Sequence, residues 1–132
     1  MLLGKIFKNT KENFKSHKFS EIQFDSQKCK KGDIFFAIKG NKKNGNKFID
    51  DAINNGAKTI VSELKNEGFK KNILYLNSKN IRKLLAETAS KIYKKKPKNL
   101  IAITGTNGKS SVANFFIQIL KQCNTTAASI GT

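Results

Sequence analysis

The apolar and polar positions of this chain predict a string of short strands and helices. Ile22 and Phe24 alternate with polar neighbours, the period-two signature of a strand. Ile34-Phe35-Phe36-Ala37-Ile38 is a continuous apolar run, as expected of a strand covered on both faces. Thr59-Ile60-Val61 and Ile73-Leu74-Tyr75-Leu76 predict two more strands. Phe48, Ile49, Ala52 and Ile53 fall at helical spacing, with Gly56 as a stop. Ile81, Leu84, Leu85, Thr88 and Ile92 define one face of a helix that runs to Tyr93, with Asn77 or Ser78 as its cap. Between these lie polar stretches: Asp25-Ser26-Gln27, the loop from Lys39 to Asn46, and Glu63 to Asn72. Lys31-Gly32-Asp33 reads as a turn with Gly32 at positive φ. Leu2, Leu3, Ile6 and Phe7 suit a short amphipathic helix docked on the body.

The pattern changes near the C-terminus. Leu100-Ile101-Ala102-Ile103 predicts a buried parallel strand, and Thr104 to Ser110 a tight polar turn. Val112, Phe115, Phe116, Ile119, Leu120 and Cys123 then form the apolar stripe of a helix. Strand, glycine turn and helix in this order make a phosphate-binding loop. Gly105 and Gly108 permit unusual dihedrals and close ligand approach. The turn's N–H groups and the helix N-terminus favour an anion. Lys109 adds a point charge suited to β- and γ-phosphates, and the Ser110 hydroxyl is suited to Mg²⁺. The general motif G-x-x-x-x-G-K-[ST] would place its first glycine where Ile103 stands.

Pro97, the only proline, disfavours helix at Lys96, so Lys94 to Asn99 reads as a linker. The expected organisation is a small α/β domain over 1–96, then the opening of a second α/β domain over 97–132. Thr125 to Ser129 would start another strand there. One helix and two strands cannot cover both faces of a parallel sheet, so the chain is expected to be the N-terminal part of a longer protein.

Composition adds a formal net charge of +17 over 132 residues. That suggests nucleic acid at first, but the basic residues are lysines scattered along the chain, with Arg82 the only arginine. No basic stripe interleaved with aromatics occurs, so no specific nucleic-acid partner is expected. Cys29 and Cys123 form no CxxC pair and read as buried or incidental thiols, and His17 has no second metal ligand near it in sequence. No apolar run reaches membrane-spanning length, and Lys5 and Lys8 break any signal-peptide core. A cytoplasmic protein without membrane insertion is expected.

Two motifs together carry a family resemblance. ITGTNGKSS is similar to the TGTNGK[ST] ATP loop of the Mur ligases, the amide-forming enzymes of peptidoglycan assembly. FDSQKCKKGDIFFAIKGNKKNGNKFIDDAINNGAKTIV resembles their N-terminal uridine-nucleotide domain, with its DSR, PGD-L-F-x-A-x-x-G and DGH-x-F-I segments. Folylpolyglutamate synthase shares the loop but lacks this preceding domain. Within the family the resemblance is closest to the ligase adding the third residue of the stem peptide.

The resemblance implies an α/β fold: a small uridine-nucleotide domain, followed by the start of a P-loop-type parallel ATP-binding domain. It implies an ATP- and Mg²⁺-dependent ligase. ATP would activate a carboxylate of UDP-MurNAc-L-Ala-D-Glu as an acyl phosphate, and the amine of diaminopimelate or lysine would attack it. Gly105, Thr106, Asn107, Gly108, Lys109, Ser110 and Ser111 would wrap the ATP phosphates, with Lys109 catalytic and Ser110 on the metal. Phe24, Ser26, Asn41, Lys42 and Lys43 would contact the uridine nucleotide. Gln27 replaces the DSR arginine, Asn44-Gly45-Asn46 replaces Asp-Gly-His, and residues 41–43 replace His-Gln-Ala. A backbone contact survives such changes; a side-chain contact need not. The whole protein is expected to be monomeric, and these 132 residues alone to make no amide bond. The alternatives are a D-Ala-D-Ala-adding Mur ligase, a P-loop NTPase coupling hydrolysis to motion, and a basic nucleic-acid-binding module.

Overall fold

A five-stranded sheet organises the first part of the molecule. In the computed structural model, residues 1–7, 11–41, 43–64 and 67–131 are described. They divide into two compact units, Met1–Lys95 and Lys96–Thr132.

In the first unit the strands are β1 (Ile22–Gln23), β2 (Ile34–Phe36), β3 (Thr59–Ser62), β4 (Gly68–Lys70) and β5 (Ile73–Asn77). Their spatial order is β1-β2-β3-β5-β4. All neighbours are parallel except β4, which runs antiparallel to β5 at the edge. Successive side chains in a strand point to opposite faces, which splits each apolar run between two cores. Ile34, Phe36, Val61, Leu74 and Leu76 face one layer with Leu3, Phe14, Phe19 and Ile81. Phe35, Ile60 and Ile73 face the other with Cys29, Ile49 and Ala52. Helices α1 (Leu3–Ile6) and α3 (Ile81–Ile92) therefore cover the first face, and α2 (Ile49–Asn54) the second. Because both faces are covered, the central strands read as continuous apolar runs rather than alternating ones.

The amphipathic start of the chain docks as its pattern predicts. Leu3 and Phe7 are buried, and the Lys91 ammonium donates to the Ile6 carbonyl. Gly32 takes φ +89° in its turn, as expected.

Two local expectations are corrected. Glu63 to Asn72, predicted as loop, contains β4, whose register puts Lys70 opposite Ile73 across a two-residue turn. Both turn residues, Lys71 (φ +49°) and Asn72 (φ +64°), are left-handed, as hairpins of this length require. The strand is short and mostly exposed, so it carries no apolar period to detect. The α3 cap is Asn80, whose side chain accepts from the Lys83 N–H at 3.0 Å, and not Asn77 or Ser78. Asn77 is still in β5, paired with Ser62, and donates to the Leu64 carbonyl.

His17 fastens the N-terminal segment to the sheet. Its Nε2 lies 3.0 Å from the Thr59 hydroxyl, and its ring meets Phe69 edge-on at 5.6 Å. Burial lowers its pKa below the ordinary imidazole value. The unfolded chain thus takes up the proton first as pH falls. The contribution is fully present above the unfolded value, about 6.5, and is lost as pH falls through the lower folded value. His17→Gln should flatten the decline in stability between about pH 7 and 5, measured by urea denaturation against the parent. An unchanged slope would exclude this role.

Burial, followed by Asp33 and Asp25, pushes the Cys29 thiol up to about 11, which leaves it a poor nucleophile. Cys123 is exposed.

The second unit contains α4 (Lys109–Gln122). The strands predicted at Leu100–Ile103 and Thr125–Ser129 do not form: neither pairs with another segment among the described residues. A strand is defined by its ladder, and these segments have no partner to complete one. Consistently, Leu100 and Ile101 are exposed, as are Val112, Phe115 and Ile119 on the apolar stripe of α4. Among the described residues, no helix is long and apolar enough to cross a membrane.

Candidate functional site

The glycine turn before α4 leaves the first N–H groups of the helix without a capping side chain. Gly108 is the N-cap of α4, with φ +75°, and has no side chain to satisfy the first-turn N–H groups. The first helical bond runs from Val112 N–H to the Gly108 carbonyl, so the donors of Lys109, Ser110 and Ser111 are the orphans every helix start leaves. No acidic residue lies in that first turn. A Cβ at Gly108 would meet nothing within 4 Å, so the approach is open. Gly105, at φ +151°, lies in a region that favours glycine. The Lys109 ammonium folds over the turn and donates to the carbonyls of Gly105 at 2.6 Å and Thr106 at 3.2 Å. The N-terminus of α4 thus presents uncapped N–H groups beside the Lys109 ammonium, with Ser110 exposed next to them. This donor set fits a nucleotide's phosphates and offers one oxygen to a divalent cation.

In the first unit, the predicted residues lie at the carboxyl edge of the parallel sheet, where α/β folds bind ligands. Phe24 follows β1 directly and is 69% exposed, an aromatic face left open to solvent. Ser26 starts a short 3₁₀ turn (Ser26–Lys28) and is buried, its carbonyl accepting from the Asn55 side chain at 2.9 Å. Asp25 caps that turn by accepting from Gln27 N–H at 3.1 Å. Asn41 and Lys43 lie exposed in the loop after β2; Lys42 lies outside the described residues. Because β1 and β2 are adjacent and parallel, the two loops rise from the same edge.

Two residues that the sequence places in turns hold backbone in place: Asp33 at the amino edge of the sheet and Gly45 in the loop after β2. Asp33, only 2% exposed, accepts from Glu21 N–H at 3.1 Å and from Lys30 N–H at 2.9 Å. Its backbone carbonyl also accepts from Lys58 and Thr59. The sequence signal was an acidic residue directly before an apolar strand. Gly45 is the second anchor: its N–H donates to the Ile38 carbonyl at 2.9 Å. A Cβ there would sit 2.5 Å from that oxygen and 2.7 Å from the Ala37 carbonyl carbon. These are backbone atoms that cannot rotate away. Gly45→Ala should therefore cost roughly 1–3 kcal/mol of stability, read by urea denaturation. A variant as stable as the parent would show that the loop yields freely.

The family described as "Mur ligase family, catalytic domain" matches residues 18–93. The UDP-N-acetylmuramoyl-L-alanyl-D-glutamate--2,6-diaminopimelate ligase of Rickettsia prowazekii (strain Madrid E) is 42% identical over 124 residues, covering 94% of this chain and 25% of its own length. The chain thus spans about a quarter of the curated relatives it matches. The MurF ligase of Thermotoga maritima, solved in complex with ADP, superposes with a TM-score of 0.60 at 26% identity, over 77% of this chain and 23% of that one. A solved UDP-N-acetylmuramoyl-L-alanyl-D-glutamate--2,6-diaminopimelate ligase shares the fold over 100% of this chain and 28% of its own, with a TM-score of 0.70 at 23% identity. With more than half of its length matched by that family, this chain is a member of the Mur ligases.

Proposed function

We propose that the chain supplies two binding parts of an ATP-dependent amide-bond ligase of peptidoglycan precursor synthesis. The unit over 1–95 would hold UDP-MurNAc-L-Ala-D-Glu by its uridine end, and residues from 97 on would open the ATP-binding domain. The observation that carries this reading is the uncapped α4 N-terminus behind Gly108, with the Lys109 ammonium poised over the turn. ATP would pass its terminal phosphoryl group to a substrate carboxylate, releasing ADP, and an amine attacking the carbonyl carbon would then expel phosphate. The chain's own residues bind and orient. The N–H groups of residues 105–111 hold the phosphates in line. Lys109 exchanges its two carbonyl partners for phosphate oxygens and offsets charge there. Ser110 offers its hydroxyl to Mg²⁺. At the other site, Phe24 gives the uracil a flat apolar face, and Ser26, Asn41, Lys42 and Lys43 frame the nucleotide through their loops.

Diaminopimelate is the amine we propose, since it is the one named for the Rickettsia relative. The test is a chimera in which this chain replaces its matching segment in that ligase. The chimera should join labelled diaminopimelate to UDP-MurNAc-L-Ala-D-Glu. Correct folding without any ATP-dependent product would overturn the reading.

A further inference from the structure

Arg82 is the only arginine among 26 basic residues. Arg82 forms no ion pair among the described residues: the two pairs there join Lys11 to Glu67 and Lys15 to Glu12. Instead, its Nη2 donates to the Lys39 carbonyl at 3.4 Å, across 43 residues of sequence. The bond joins the first turn of α3, just past β5, to the loop after β2. Since β3 lies between β2 and β5, the side chain crosses the carboxyl edge of the sheet.

Lys39 is the base of a small closed loop. It pairs with Asn44, and Gly40 N–H donates to the Lys43 carbonyl at 2.8 Å. Fixing the Lys39 carbonyl therefore fixes where Asn41 and Lys43 stand. We propose that Arg82 is a positioning residue for the uridine-nucleotide site, acting through this loop and not by touching the ligand. The role rests on the uridine reading given above. Ordering the loop before the ligand arrives removes an entropic cost from binding. A lysine at this position could still donate to a carbonyl, as Lys91 does to that of Ile6, so Arg82→Lys serves as the conservative variant and Arg82→Ala as the full loss.

The test is calorimetric titration of the 132-residue chain with UDP, with uridine and with ATP, for the parent, Arg82→Lys and Arg82→Ala. Arg82→Ala should bind UDP and uridine more weakly by the same factor, roughly three- to tenfold, the worth of one hydrogen bond, and Arg82→Lys should recover part of that loss. ATP affinity and the urea midpoint should not move. Parent-like UDP binding by Arg82→Ala would overturn the proposal, and so would a loss confined to UDP, which would make the guanidinium a phosphate ligand. A parent chain that binds neither UDP nor uridine would overturn the uridine reading and this role with it. Parent binding matched by both variants would overturn the role of Arg82 alone.

Discussion

Lys109→Ala should lower ATP affinity by about ten- to a hundredfold, while leaving the fold and uridine-nucleotide binding unchanged. The ammonium lies at the rim of the turn, exposed, and bonds two carbonyls of its own loop. Removing it takes one or two charge-assisted bonds from the phosphates, each worth about 1.5–3 kcal/mol. The uncapped N–H groups remain, so residual binding is expected rather than none. Lys109 lies in the second compact unit, and Phe24, Ser26, Asn41 and Lys43 lie in the first. Calorimetry with ATP and with UDP on the same variant reads both effects. An equal loss of both ligands would contradict the assignment of separate sites.

Asp33→Ala should remove about 3–5 kcal/mol of stability. Two backbone N–H groups, those of Glu21 and Lys30, would lose a carboxylate acceptor that is itself only 2% exposed. Bonds to a charged acceptor contribute about 1.5–3 kcal/mol each. Small domains are stable by only about 5–15 kcal/mol, so the variant should unfold at much lower urea. Asp33→Asn keeps one oxygen acceptor but turns a donor toward the second N–H, so its loss should be intermediate. A change below about 1 kcal/mol in Asp33→Ala would mean that the start of β1 and the turn at Lys30 hold without the carboxylate.

Local patterning made much of the first unit legible. The strands at Ile34–Phe36, Thr59–Ser62 and Ile73–Asn77 fall on the predicted apolar runs because both faces of the sheet are covered, and apolar continuity is the mark of that, although the run to Ile38 outlasts its strand by two residues. The α3 face from Ile81 to Ile92 follows in the same way, with Ile81 buried in the first core and Leu84, Leu85 and Ile92 packed against it. β4 was not legible, since an exposed three-residue edge strand is specified by its hairpin and not by an apolar period. The Asn80 cap was hidden among several cap-capable neighbours, and only the end of β5 decides between them. At the candidate sites, the glycines, Lys109 and Ser110 could be read directly, because their chemistry is local to one turn. The anchors could not. Asp33, Gly45 and Arg82 act on backbone atoms of other segments, and no sequence spacing encodes such a contact. The strand expected at Leu100–Ile103 shows the converse: an apolar run states a preference, and the ladder that fulfils it must come from another segment.

The central claim is that one chain carries two separate nucleotide sites, one for a uridine nucleotide and one for ATP. The most direct measurement is a calorimetric titration of the 132-residue chain with ATP and Mg²⁺, in the absence and in the presence of saturating UDP. Two separate sites predict saturable ATP binding of the same affinity in both experiments. If UDP displaces ATP, the two nucleotides share one site and the claim is contradicted.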